Sequence, residues 1–293
     1  MLALGSHVST SGGLDKGVAR AAALRITAIQ VFTKSERQWQ AKPLDPAMVA
    51  LFREMAPAAG IEHLVAHDSY LINVASPEPD KWERSREALM IELDRCDELG
   101  IPWLVSHPGA HMGGGPEQGV VLVADAINRI HAERPDGKAS ILIETTAGQG
   151  TSMGARFEEV GEIIRLTEDK SRIGVCLDTC HVFAAGYDIR TPATYAETMG
   201  RFDELVGLSF LKCLHLNDSL KDFDSHRDRH AHIGEGTIGL EGFRNIMNDS
   251  RLAGLPGILE TPKDDAGEQD RMNLATLRGL IAPTAGSGLA QAG

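Results

Sequence analysis

Residues 173–183 read IGVCLDTCHVF. The run Ile173–Asp178 is apolar or small up to its last member, which is an acid, and His181 follows three positions later. A short apolar run of this kind reads as a buried strand. A charge at the end of such a strand is costly unless it is paired or bound to a metal. Comparable runs occur at Leu2–Val8, Ile26–Thr33, Ile61–His67, Ile101–His107, Ser140–Glu144, Leu211–Leu216 and Gly257–Glu260, giving eight candidate strands. Their mean step is about 36 residues, the size of one βα unit.

Helical patterns lie between the strands. Asp45 caps a segment with Pro46 at its first position, and Gly60 stops it. Asp80 to Leu99 ends at Gly100, and Thr191-Pro192 opens a segment containing Tyr195, Met199 and Phe202. Shorter patterns centre on Phe157, Val160 and Ile163, on Leu240, Phe243 and Ile246, and on Leu274, Leu277 and Leu280. Repeated β and α segments with no linker between halves predict an α/β fold, a (β/α)8 TIM barrel in a single domain over 1–281, followed by a flexible tail over 282–293. A doubly wound sheet is the alternative. It would carry G-x-G-x-x-G after the first strand, where this chain reads SHVSTSGG.

The composition agrees with a single large core. The chain has 293 residues, 42% of them hydrophobic. Length alone favours two domains, yet α/β barrels reach this size as one. Cys96, Cys176, Cys180 and Cys213 form no C-x-x-C and make no disulfide framework. Cys176 and Cys180 read as packing residues that alternate away from the neighbouring candidate ligands. The start, MLALGSHVSTSGG, has neither a basic region nor a hydrophobic segment of signal-peptide type. With no apolar run of about 18 residues, no membrane association and a cytoplasmic location are expected. The net charge of −12 argues against an ordinary polybasic nucleic-acid binder.

Six successive strands end in His67, His107, Glu144, Asp178, His215 and Glu260, and loops add His181, Asp228 and His230. One such residue has a plain reading as a buried, hydrogen-bonded group. Six along one rim point to function, because a barrel's active site is built at the carboxyl ends of its strands. Imidazole with carboxylate and no thiolate suits Zn²⁺, Mn²⁺ or Fe²⁺. Nine ligands exceed one tetrahedral ion and imply two or three ions sharing bridging carboxylates, an arrangement suited to in-line phosphoryl displacement. Gly113–Gly115 lacks the G-K-[ST] of a phosphate loop and reads as a flexible, DNA-facing loop. His7 and His111 sit near the rim, whereas His63, His131, His226 and His232 have no claim to a ligand role.

Together these motifs resemble the endonuclease IV family of metal-dependent apurinic/apyrimidinic (AP) endonucleases in base-excision repair. The matching segments are GSHVSTSGG, FTKSERQW at Phe32–Trp39, HDSYLIN at His67–Asn73, SHPGAH at Ser106–His111, CLDTCHVFAAGYD at Cys176–Asp188, HLNDS at His215–Ser219, DRHAHIGEGTIG at Asp228–Gly239 and ILET at Ile258–Thr261. The resemblance implies three zinc ions, with Mn²⁺ possible in some sites. One is held by His67, His107 and Glu144. Glu144 bridges to a second, which Asp178, His215 and Glu260 complete, and His181, Asp228 and His230 hold the third. Glu144 and Glu260 are the implied catalytic carboxylates, Glu260 orienting or deprotonating the nucleophile. The implied substrate is double-stranded DNA with abasic sites or blocked 3′ ends. It is cut 5′ to the lesion to leave a 3′-hydroxyl and a 5′-deoxyribose phosphate, by a monomer associated with a prokaryotic nucleoid. Arg37, Tyr70 and Leu71 match the loops that enter the helix at the lesion, and Arg229, with Lys34 and Arg227, adds positive charge at the rim. Three zinc ions would offset half of the −12. Thr145 departs from the more usual Asn, which bears on the hydrogen bonding around Glu144.

Two other readings compete. A metal-dependent sugar isomerase or epimerase also gathers acids and histidines at strand ends, but needs no further triplet such as His181, Asp228 and His230. A non-catalytic binder of damaged DNA or metal has no use for nine ligands.

Overall fold

All eight expected strands form, and their register shows how the ring closes. In the computed structural model, which describes residues 1–282, the strands are β1 (Ala3–His7), β2 (Ala28–Phe32), β3 (His63–His67), β4 (Trp103–Ser106), β5 (Ser140–Glu144), β6 (Ile173–Asp178), β7 (Leu211–His215) and β10 (Pro256–Leu259). Each lies parallel to its neighbours, and β10 pairs with β1 to close a barrel in the order β1-β10-β7-β6-β5-β4-β3-β2. Beyond β7, β8 (Asp218–Ser219) and β9 (His230–Ala231) form a small antiparallel ladder. The expected tail over 282–293 falls, but for Ala282, outside the described residues.

Outside the strands run α1 (Leu14–Leu24), α2 (Pro46–Ala58), α3 (Pro79–Leu99), α4 (Pro116–Glu133), α5 (Phe157–Leu166), α6 (Thr179–Ala184), α7 (Pro192–Leu205), α8 (Gly239–Met247) and α9 (Glu268–Gly279). Caps form where the sequence placed them. Asp45 accepts the Ala47 N–H, Gly100 ends α3 in the left-handed conformation, and Thr191 forms a reciprocal cap with Thr194. The sequence patterns did not single out α1 or α4. In α1 the buried face includes small Gly17 and Ala21, so no strong apolar stripe appears. In α4 a β-branched cluster, Val120, Val121 and Val123, obscures the helical period. Gly119 lets that helix close on its neighbours: a Cβ there would lie 2.8 Å from Met153 Sδ and 3.3 Å from His111 Cβ.

Two apolar regions hold the barrel. The larger lies between the sheet and the helices and includes Ile29, Phe52, Leu93, Phe157, Phe202 and Phe243. The smaller plugs the barrel interior and comprises Ala28, Val65, Val105, Leu142, Cys176, Cys213 and Ile258. Side chains on a strand alternate, so the residue two places on faces the same way. From those seven positions the step of two gives Gln30, His67, His107, Glu144, Asp178, His215 and Glu260. On β1 Ala3 packs against the interior plug, and four residues on is His7. Every strand therefore contributes one polar side chain to a layer resting on an apolar floor. Cys176 belongs to that floor. It faces the same way as Asp178 rather than away from it, which corrects the expected alternation while leaving it a packing residue.

Candidate metal centre

The polar layer is assembled by local structure at each strand end. Asp178 is the N-cap of α6, and its Oδ1 accepts the His181 N–H at 2.8 Å, so the turn that places Asp178 also places His181. Asn217, just beyond β7, donates from Nδ2 to Asp178 Oδ2 at 2.7 Å and accepts the Glu260 N–H at 2.8 Å, tying three strand ends together. Asp218 is fully buried, and its carboxylate accepts five backbone N–H groups, from Ser219, Gly234, Gly236, Ile238 and Gly239. That clamp, with the β8–β9 ladder, returns His230 to the mouth. Asn73 holds the segment after His107: its Oδ1 accepts the Ala110 N–H at 2.9 Å, and a Cβ on Gly109 would collide with it at 2.2 Å.

All nine expected ligands converge. His67, His107 and Glu144 form one group, Glu144, Asp178, His215 and Glu260 a second, and Asp178, His181 and His230 a third; within each, one ligand atom per residue lies within 4.8 Å of the others. Asp228 completes the third side, 3.3 Å from both His181 Nε2 and His230 Nε2. Glu144 is shared between the first two groups, with Oε2 at 3.1 Å from His67 Nε2 and 2.9 Å from His107 Nε2, and Oε1 at 3.0 Å from His215 Nδ1.

The tautomers these contacts impose fit divalent cations. His67 Nδ1 donates to the Asp68 carbonyl at 2.9 Å, His181 Nδ1 to the Thr145 carbonyl at 2.8 Å and His230 Nδ1 to the Glu260 carbonyl at 3.2 Å. A ring nitrogen that donates outward leaves its partner's lone pair free to coordinate. His181 Nε2 and His230 Nε2 are buried and, with the Asp228 carboxylate beside them, make no well-aligned hydrogen bond, as expected of atoms reserved for an ion. Burial opposes charge on His67, but Glu144 and Asp68 outweigh it and lift its pKa to about 9. His181 and His215 are raised in the same way against burial, by Asp178, Glu144, Asp228 and Glu260. Burial would raise Glu144 and Glu260, yet the facing imidazoles hold both well below the usual carboxylate range.

Beside this layer the rim is exposed. Tyr70 is 63% and Leu71 36% exposed, and the Tyr70 ring leans edge-on against Phe32 at 5.7 Å and beside His67 at 5.8 Å. Tyr70 lines a 630 Å³ cleft with His7, Phe32, His230, Glu260 and Lys263, and a 220 Å³ cleft with Asn73, His107, Ala110 and Ser152. Arg37 points into solvent with 88% of its side chain exposed, 3.3 Å from Glu36 Oε1. Arg227 and Arg229 are exposed as well. Lys34 is not. Its side chain is only 4% exposed and pairs with buried Glu92 at 3.2 Å, so it lines the 630 Å³ cleft at the rim with its charge already paired. Glu92 also accepts the Ser69 N–H at 3.0 Å, and Ser69 Oγ donates to the Glu36 carbonyl at 2.6 Å. One buried acid thus joins the loops that carry Arg37 and Tyr70.

Other expectations resolve individually. His111 organises the glycine turn by accepting N–H groups from Gly113 and Gly115 on Nδ1. Thr145 does not touch the Glu144 carboxylate; its hydroxyl accepts the Asp178 N–H at 3.0 Å. Among the described residues, His63, His131, His226 and His232 join no group of possible ligands. Gln30, Asn217 and Asp218 were missed. Only the period of two along β2, extended to the strand without a charged end, would have found Gln30.

Comparison with known proteins follows the same lines. A family model described as a xylose isomerase-like TIM barrel matches residues 18–280. A curated relative from Chloroflexus aggregans, carrying an endonuclease 4 name, is 53% identical over 281 residues, covering 96% of this chain and 98% of its own length. The crystal structure of endonuclease IV from Thermus thermophilus superposes with a TM-score of 0.83 at 37% identity, over 94% of this chain and 98% of that one. D-psicose 3-epimerase from Clostridium cellulolyticum shares the barrel, with a TM-score of 0.71 over 96% of this chain and 100% of that one, but at 12% identity shows the fold alone. Identity over nearly the whole length, on a barrel whose mouth gathers every ligand the motifs named, places the chain in the endonuclease IV family.

Proposed function

We propose that the chain, acting as a monomer through its 1–281 barrel, is a metal-dependent AP endonuclease of DNA repair. It hydrolyses the phosphodiester 5′ to an abasic site in double-stranded DNA, leaving a 3′-hydroxyl and a 5′-deoxyribose phosphate, and trims blocked 3′ ends. The observation that carries this reading is the convergence of nine His, Asp and Glu side chains in one mouth flanked by exposed Tyr70 and Leu71. Three zinc ions are assigned, with Mn²⁺ able to replace some: His67, His107 and Glu144 hold one, Glu144, Asp178, His215 and Glu260 the second, and His181, Asp228 and His230 the third. Such ions supply Lewis acidity, lowering the pKa of water and offsetting charge on phosphate.

The chain's own residues do the rest. Glu260 receives hydrogen bonds on Oε1 and turns Oε2 toward the cluster, 3.2 Å from His215 Nδ1. Oε2 is thus the oxygen that would face the ion and orient or deprotonate the attacking water while the bond from phosphorus to the 3′ oxygen breaks. Tyr70 and Leu71 fill the gap at the lesion, offsetting an unstacking cost that a missing base has already reduced. Arg37 enters the helix beside them, and Arg229 adds positive charge at the rim. No described helix is long and apolar enough to cross a membrane, and a cytoplasmic site at the nucleoid of a prokaryote accords with the substrate.

The test is a duplex carrying one abasic analogue, incubated with protein and zinc or manganese, with the product ends identified. Incision on the 5′ side is expected, and an uncut duplex overturns the assignment. Metal analysis is a second check, since one ion per chain would favour a sugar isomerase.

A further inference from the structure

Gln30 is wholly buried on β2 and touches three members of the polar layer. Its Nε2 lies 2.6 Å from Glu260 Oε1 and 2.9 Å from His7 Nδ1, and its Oε1 lies 2.8 Å from His215 Nε2. The carboxylate decides which way round the amide sits. Glu260 only accepts, so the atom facing it must be the NH₂. The amide oxygen is then left facing His215, whose Nε2 must carry a proton. A neutral imidazole has one donor and one acceptor, so the lone pair of His215 is on Nδ1. That atom faces the cluster, 3.0 Å from Glu144 Oε1 and 3.2 Å from Glu260 Oε2. The same amide occupies Glu260 Oε1 and leaves Oε2 turned inward. One neutral side chain thus sets both the tautomer of one ligand and the free oxygen of another, with no net charge added to a buried site.

We propose that Gln30 is a positioning residue of the metal centre, which orients His215 and Glu260 toward the ion they share. The inference rests on the metal-centre reading above, and its test uses zinc alone without DNA. In Gln30→Leu, zinc release to a chelator is expected to be faster by about tenfold to a hundredfold, the usual cost of losing a ligand's outer hydrogen bond. The metal-free variant is expected to unfold as cooperatively as the parent protein. In the zinc-loaded parent labelled with ¹⁵N-histidine, the Nε2 proton of His215 gives a downfield, hydrogen-bonded signal. That signal moves upfield in Gln30→Leu. It returns in Gln30→Glu, which keeps an acceptor for His215 at the same reach.

Unchanged zinc release in Gln30→Leu overturns the proposal. So does a His215 proton signal indifferent to residue 30. If Gln30→Leu fails to fold, Gln30→Glu decides: a retained signal with faster zinc release supports the proposal, because the donor to Glu260 has gone and a like charge faces it instead, and wild-type release overturns it. Should the parent protein bind zinc but leave abasic DNA uncut, the proposed function fails and the role of Gln30 stands.

Discussion

The mouth of the barrel and the rim above it are built on opposite terms. In the mouth, Glu144, Asp178 and His215 are fully buried on strand ends, and each is held by further hydrogen bonds. On the rim, Arg37 and Tyr70 are 88% and 63% exposed on loops. Charge buried in a barrel needs countercharge, so its residues are forced into one compact set. Exposed residues proposed to enter DNA need only to be presented, and what presents them is a buried strut, the Lys34–Glu92 pair and the Ser69 hydrogen bonds beneath it. Chemistry and recognition should therefore fail separately.

The largest effect is expected at Glu144, which two ligand groups share. Glu144→Gln removes the bridging charge; at several kcal/mol of lost charge stabilisation, incision should fall on the order of a thousandfold. Metal content should fall with it. If Glu144→Gln keeps full metal content, the shared-ligand reading breaks. At the rim, Lys34→Met leaves Glu92 buried without its cation, which for a pair this enclosed typically costs about 3–5 kcal/mol of stability. Zinc content should persist, and affinity for an abasic duplex should drop as both loops loosen. Loss of zinc together with DNA affinity would erase the distinction between mouth and rim.

Tyr70→Ala sharpens it further. Losing an aromatic wedge is worth about 1–3 kcal/mol per stacked base, so binding to the abasic duplex should weaken while zinc stoichiometry stays constant. Equal loss of both would count against the wedge. Acidity offers a test of the mouth alone. His67 has a folded pKa of about 9 against an ordinary 6.5, because Glu144 and Asp68 outweigh its burial. Its contribution to the stability of the metal-free protein is complete below 6.5 and is lost as pH rises toward about 9. Thermal unfolding of metal-free protein should shift downward across that window, and zinc-loaded protein should not, since a bound ion requires the unprotonated ring. Identical profiles would show that His67 does not titrate against an ion.

What the sequence made legible follows the same division. Strand ends in His, Asp or Glu stand out because such residues are expensive in apolar runs, so the barrel and its nine converging residues could be read residue by residue. Gln30 and Asn217 could not, because a neutral amide at a strand end signals nothing until its partners are known. Lys34 misled for a related reason: a lysine in a rim loop reads as solvent-facing, and only the fold brings Glu92, 58 positions away, beneath it. Helix α4 hid behind its β-branched valines, whose local preference the surrounding packing overrode.

The smallest expected effect lies between the two regions, at Thr145. The resemblance to endonuclease IV sequences marked it as a departure bearing on Glu144, yet its hydroxyl accepts the backbone N–H of Asp178 and its carbonyl accepts from His181 Nδ1. Its side chain therefore acts on the strand end that caps α6, and its backbone on the third ligand group, whatever side chain it carries. Thr145→Val keeps the shape and the carbonyl but leaves the buried Asp178 N–H unpaired, which costs about 1–3 kcal/mol. A modest fall in melting temperature is expected, with zinc content kept and the His181 ring signals unmoved. Thr145→Asn, which offers a side-chain oxygen again, should recover most of that stability. If Thr145→Val instead depletes zinc as Glu144→Gln does, the hydroxyl orients ligands rather than the strand end, and the boundary between support and mouth lies one residue further out than these contacts place it.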